Sequence, residues 1–114
     1  MKLLSDKITI TELQEMASTG FGNLVKAVVD VDKGLLVVEA ELHSDQEGYL
    51  IDQGSRQEDL WGINLYPEFP KMDENFVEFD SMINLKPSFK NGSRMVENPL
   101  IREKILEIVR GWVT

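Results

Sequence analysis

Cysteine is absent from all 114 residues, so disulfides, a thiol nucleophile and thiolate metal sites are excluded. A reducing, cytoplasmic setting is the expectation that fits. No apolar stretch approaches the ~18 residues that span a bilayer, which gives an expectation of no membrane association. Residues 1–7 lack the apolar run of a signal peptide. Basic side chains are scarce, with 12 Lys and Arg against 20 Asp and Glu and a net charge of −8. That balance argues against a nucleic-acid binder working by phosphate neutralisation. GxSxG, P-loop, GxGxxG, HExxH and EF-hand patterns are all missing, which removes the common serine-hydrolase, P-loop, Rossmann, zincin and calcium-hand readings. Histidine occurs once, at position 43.

What is present reads as an ordinary globular chain, 42% hydrophobic and 28% charged, of one domain's length, 1–114. A capping box of Thr9 and Glu12, stapled by Ile8 and Leu13, predicts a first helix that Gly20 stops. Residues 25–31 and 35–43 alternate as two strands around a turn at Lys33 and Gly34. A two-residue loop there would set Ala27 opposite Ala40 and Lys26 opposite Glu41, keeping Glu39 and Glu41 off the apolar face. A second capping box, Ser44 with Glu47, predicts the next helix, ended by Gly54. Residues 60–66 and 76–85 read as two further strands. Gly62 and Asn64 on one face of the third suggest a close approach to its backbone. Asn98 and Pro99 then start a last helix with a stripe of Ile101, Ile105, Ile108 and Trp112. The expected fold is α+β, in the order α-β-β-α-β-β-α. One four-stranded mixed or antiparallel sheet, built from two hairpins, would be packed with helices.

The chemistry to look for lies at the exit of the second strand. Alternation projects Glu39, Glu41 and His43 from one face, with Asn64, Asp80 and Asn84 across the same sheet. His43 is the candidate general base, with Asp80 or Glu41 orienting it and Arg94 stabilising an anion, as a small hydrolase or nuclease would need. One metal shared by Glu39, Glu41 and His43 is disfavoured, because strand residues two apart are about 6.5–7 Å apart. No pattern names a cofactor. Residues 86–96 hold Lys86, Lys90 and Arg94 with no acid, and Ser93 and Arg94 beside a helix start could bind an anion. Asn64, Asn84, Ser93 and Arg94 are thus the candidate ligand-binding residues. The mixed second face of the sheet reads as a covered layer, a ligand cup or a homodimer interface.

The segments ELHSD at 41–45, LWGINLYP at 60–67, FDSMINL at 79–85 and VENPLIR at 96–102 resemble a small prokaryotic family known only as a domain of unknown function. The likeness runs from about Ile8 to Val113. It implies a compact single-domain protein and carries no activity, cofactor or site residue. A small protein that binds a ligand or partner is the first expectation, and a His43-based hydrolase the alternative.

Overall fold

The branched, alternating segments form the centre of the sheet. The computed structural model describes residues 1–114. Its order is β1 (Lys2–Leu3), α1 (Ile10–Thr19), β2 (Val25–Asp30), β3 (Leu35–Val38), α2 (His43–Asp52), β4 (Leu60–Leu65), β5 (Val77–Glu78) and α3 (Pro99–Trp112). The strands form one five-stranded antiparallel sheet in the order β1-β3-β2-β4-β5. The fold is α+β with three helices, as expected, but the sheet has five strands rather than four. The extra strand, β1, pairs Lys2 with Val38 and Leu3 with Val37, and two residues are too few for alternation to reveal.

The helix starts at Thr9 and Asn98 are as read. Thr9 Oγ1 accepts from the Glu12 amide at 3.1 Å, and Asn98 Oδ1 accepts from Leu100 at 2.9 Å with Pro99 following. α2 differs. It begins at His43, with Leu42 as N-cap and no side-chain cap, so the Ser44–Glu47 box does not form. Seating the His43 ring on β4 brings the helix start forward, and Glu47 turns instead toward Lys86 Nζ at 3.8 Å.

The β2–β3 register also differs. Ala27 faces Val38, not Ala40, and Asp30 faces Leu35 around a longer turn at 31–34. The cause is Asp30. Its Oδ1 accepts from the amides of Asp32 and Lys33, and Gly34, at φ +70°, donates to the Asp30 carbonyl. The slip is an even number of residues, so the same side chains stay on the core face and alternation cannot detect it.

The apolar face, with Val25, Ala27, Val29, Leu36, Val38, Ile63 and Leu65, packs under α1 and α3 through Leu13, Ala17, Ile105 and Val109. Trp112 Nε1 donates to Gly34 O at 2.9 Å, tying the end of α3 to the hairpin turn. The opposite face is covered. Val28, Val37, Leu50 and Leu60 form a smaller cluster under α2, with Ile83 against it. No helix is long and apolar enough to cross a membrane.

The fourth predicted strand, 76–85, is a strand only at Val77–Glu78 and then leaves the ladder. Ser81 Oγ caps Ile83 in a 3-10 turn at Met82–Asn84, and the Asn84 side chain takes both polar groups of Gly62, N at 2.8 Å and O at 2.9 Å. Asn84 thereby stands in for the missing strand and protects half of β4's edge. Gly62 is required there. A Cβ at that position would meet the Ser81 side chain at 2.5 Å, which is the close approach its sequence position suggested.

Candidate functional site

The strand carrying the predicted row of reactive groups stops early. β3 ends at Val38, and Glu39 adopts φ +63°, a left-handed conformation that costs a non-glycine residue about 1 kcal/mol or more. Glu39, Glu41 and His43 therefore do not share a strand face. Nor does Lys26 pair with Glu41. Its carbonyl accepts from Glu39 N and from Gln46 Nε2, while its ammonium lies 5.0 Å above the Phe21 ring.

His43 sits in the first turn of α2, 8% exposed, facing the sheet. Its Nε2 is 2.8 Å from the Ile63 carbonyl. A carbonyl only accepts, so Nε2 carries the proton and Nδ1 is the lone-pair nitrogen of the neutral ring. Burial pushes the His43 pKa below its ordinary value. The bond to Ile63 and the Asp80 carboxylate raise it, whereas the positive charges of Lys26 and Arg94 lower it further.

Four of the candidate residues thus share one neighbourhood: His43, Asn64, Asp80 and Arg94. Asn64 lies directly across the ladder from Lys26 and donates through Nδ2 to Glu78 Oε1 at 2.8 Å and to Asp80 O at 3.3 Å. Tyr66 donates to the same Glu78 oxygen at 2.9 Å. Burial raises the Tyr66 pKa, and Glu78 adds to the shift. Arg94 holds Asp80 in a two-pronged pair, Nε to Oδ1 at 2.9 Å and Nη2 to Oδ2 at 3.4 Å. Three other candidates are elsewhere. Asn84 is fully buried on Gly62, Ser93 bonds locally to Met95, and Glu41 lies exposed beyond the end of β3.

Much of the basic segment 86–96 is similarly absorbed, Lys90 alone of its three cations standing exposed without a partner. Lys86 is buried, its ammonium 2.7 Å from Ile83 O and 5.2 Å from the Trp61 ring centre, and desolvation lowers its pKa. Asn91 Nδ2 reaches the carbonyls of Asn84, Ser93 and Met95, and its Oδ1 accepts from Glu97 N.

Two open clefts flank this region. One, of about 510 Å³, lies at the exit of β3 between Met16, Phe21, Leu24 and Val25 on its floor and Glu39, Glu41 and Asp45 on its rim. The other, of about 650 Å³, lies beyond β5 against α3. Sequence reading also missed a carboxylate cluster at the hairpin turn, where Asp30, Asp32 and Asp59 come within 4.8 Å of one another. Two of its three carboxylates have partners already: Ser55 Oγ donates to Asp30 Oδ2 at 2.6 Å and Arg56 pairs with Asp59 at 2.9 Å, while Asp32 is exposed. The spacing of Asp30 and Asp32 after a strand was its only sequence signal, since Asp59 arrives from a distant turn.

A family profile spans residues 2–112, nearly the whole chain. The chain belongs to DUF5674. That family is described as proteins of unknown function. No curated protein and no solved structure matches the chain. Membership in DUF5674 agrees with the resemblance drawn from the four segments, and it assigns no role to His43, Asp80 or Arg94.

Proposed function

We propose that this protein is a ligand-binding module whose site is the cleft at the exit of β3, and that its ligand is a small organic cation with an apolar body. The observation that carries this reading is the contrast between spent and unspent polar groups. On the sheet face, His43, Asn64, Asp80, Asn84 and Arg94 each have at least one partner inside the protein, and only the buried Oδ1 of Asn64 is left without one among them. At the cleft, the exposed carboxylates of Glu39, Glu41 and Asp45 have no ion-pair partner, and they surround an apolar floor. A volume of about 510 Å³ falls within the usual range for small-molecule sites. Lys26 also lines this cleft with its ammonium 5.0 Å from the Phe21 ring centre, so a ligand cation takes that ring face by displacing it. The left-handed backbone at Glu39 turns the chain sharply at the rim, a kind of local strain that collects at binding sites.

The hydrolase reading would have to work through Nδ1 of His43, because Nε2 is taken by Ile63, and would need Asp80 released from Arg94. No observation favours that rearrangement over binding.

Titration of the protein with 2-naphthylmethylammonium, followed by amide NMR shifts, tests the proposal. Saturable shifts are expected at Phe21, Ala40 and Glu41. Exposed ion pairs contribute about 0.2–1 kcal/mol each, so Glu39→Gln with Glu41→Gln should weaken binding roughly 2–30-fold. Shifts that do not saturate, or equal binding of the anion 2-naphthoate at the same residues, would refute the reading.

A further inference from the structure

Beyond β5 the chain places positive charge where its acidic composition would not suggest it. Arg102, Leu106 and Arg110 lie in one row of α3, spaced four residues apart, and line the cleft of about 650 Å³ together with Tyr66, Phe69 and Phe79. The Arg102 guanidinium lies 5.1 Å over the Phe79 ring, and its Nε donates to the Val96 carbonyl. That fixes Arg102 as a wall. Arg110 is different. Its Nε is shut off from water with no hydrogen-bond partner, and no carboxylate lies within ion-pair distance of its side chain. The buried Nε is closed to a ligand as it is to water, but Nη1 and Nη2 also lack a protein partner and keep access to solvent, and a carboxylate is their natural complement.

The bland role for Arg110 would be to answer the negative end of α3. Lys71 already does this, with Nζ 3.0 Å from the Arg110 carbonyl and 2.6 Å from that of Val113. Of the two acids lining the cleft, Glu78 turns its Oε1 to Asn64 and Tyr66, and Glu74 is exposed on the loop.

We infer that this cleft is a second binding site, one that takes a planar aromatic carboxylate: the carboxylate on Arg110 and the ring across Leu106 between Phe69 and Phe79. The spacing suits such a molecule, since four residues of helix rise about 6 Å, roughly the reach from a carboxylate to the far ring of a fused bicycle. The site is independent of the proposed cation cleft, is lined by different residues and prefers the opposite charge.

The probe is 2-naphthoate, titrated into the full chain and followed through the Arg110 Nε–Hε resonance and the amides around Phe79 and Leu106. The expected result is a saturable shift of the Arg110 signal, with at least tenfold weaker binding in Arg110→Gln. Lys104→Gln removes an exposed cation from the same helix and should leave the affinity unchanged. Should Arg110→Gln fail to fold, the Arg110 resonance of the unaltered protein still decides. The inference is overturned if that resonance does not move, or if Lys104→Gln weakens binding as much as Arg110→Gln. It is also overturned if inorganic phosphate or 2-naphthylmethylammonium binds there as tightly as naphthoate.

Discussion

Under α1 and α3 the sheet presents Val25, Ala27, Val29, Leu36, Val38, Ile63 and Leu65, and side chain meets side chain. Under α2 and the 82–91 segment it presents Lys26, Val28, Asp30, Gly62 and Asn64, and there a small cluster of Val28, Val37, Leu50 and Leu60 is supplemented by bonds from side chain to backbone. Asn84 bonds Gly62, Gln46 bonds the Lys26 carbonyl, His43 bonds the Ile63 carbonyl, and Asn91 knits the covering loop together. The first face is held by area removed from water and tolerates a change of shape. The second is held also by directional bonds whose loss strands a buried polar group. The two clefts open at the edges of the sheet, one beside α1 at the exit of β3 and the other between β5 and α3.

The largest effect should come from the apolar face. Leu36→Ala removes a fully buried side chain and is expected to cost about 2–5 kcal/mol, whereas Leu36→Met, which keeps volume, should cost less than about 1.5 kcal/mol. The polar face should respond to the opposite pair of changes. Asn84→Ala frees the amide and carbonyl of Gly62 and removes the bond to Arg94 O, at an expected cost of about 2–4 kcal/mol. Asn84→Leu restores the volume but not the partners, so it should be no milder than Asn84→Ala. Urea unfolding of the four variants measures all of this. If Asn84→Leu proved as benign as Leu36→Met, the distinction between the two faces would fail.

The same distinction decides what could be read from sequence. Alternation reports only which side a residue faces, so the alternating residues of 25–31 and 35–38 keep the faces it predicts even though the hairpin register is shifted. The two-residue strand β1 falls below the length at which a period exists. Capping at Thr9 and Asn98 is local and was legible, whereas the start of α2 is set by a distant carbonyl on β4 and was not. Periodicity has no vocabulary for an asparagine that replaces a strand, so 76–85 read as one continuous element. At the candidate site, residue type points to His43, Asp80 and Arg94 and alternation puts Asn64 and Asp80 on the second face, but the strand face expected for His43 does not exist, because that residue belongs to α2. Arg102 and Arg110 carry no signal in the sequence, because charges on an amphipathic helix usually mark its wet side. Only the tertiary wall of Phe69 and Phe79 turns that row into a cleft.

The smallest effect, and the one that isolates a single directional bond, is the pH dependence contributed by His43. Its ordinary pKa is 6.5, and burial in the folded protein lowers it. As pH falls below 6.5 the unfolded chain takes up a proton that the folded chain refuses, so the unfolded state binds more protons and stability declines. The contribution is intact above 6.5, is lost through the interval down to the lowered folded value, and is constant below it. His43→Gln keeps an amide donor for the Ile63 carbonyl and removes the titration. Its unfolding midpoint should therefore be flatter than that of the unaltered protein between pH 7.5 and 5.5, a window above the ordinary carboxylate range. Parallel declines in the two proteins would assign the loss to other groups. They would also remove the neutral Nε2–H of His43 from the bonds that distinguish the second face.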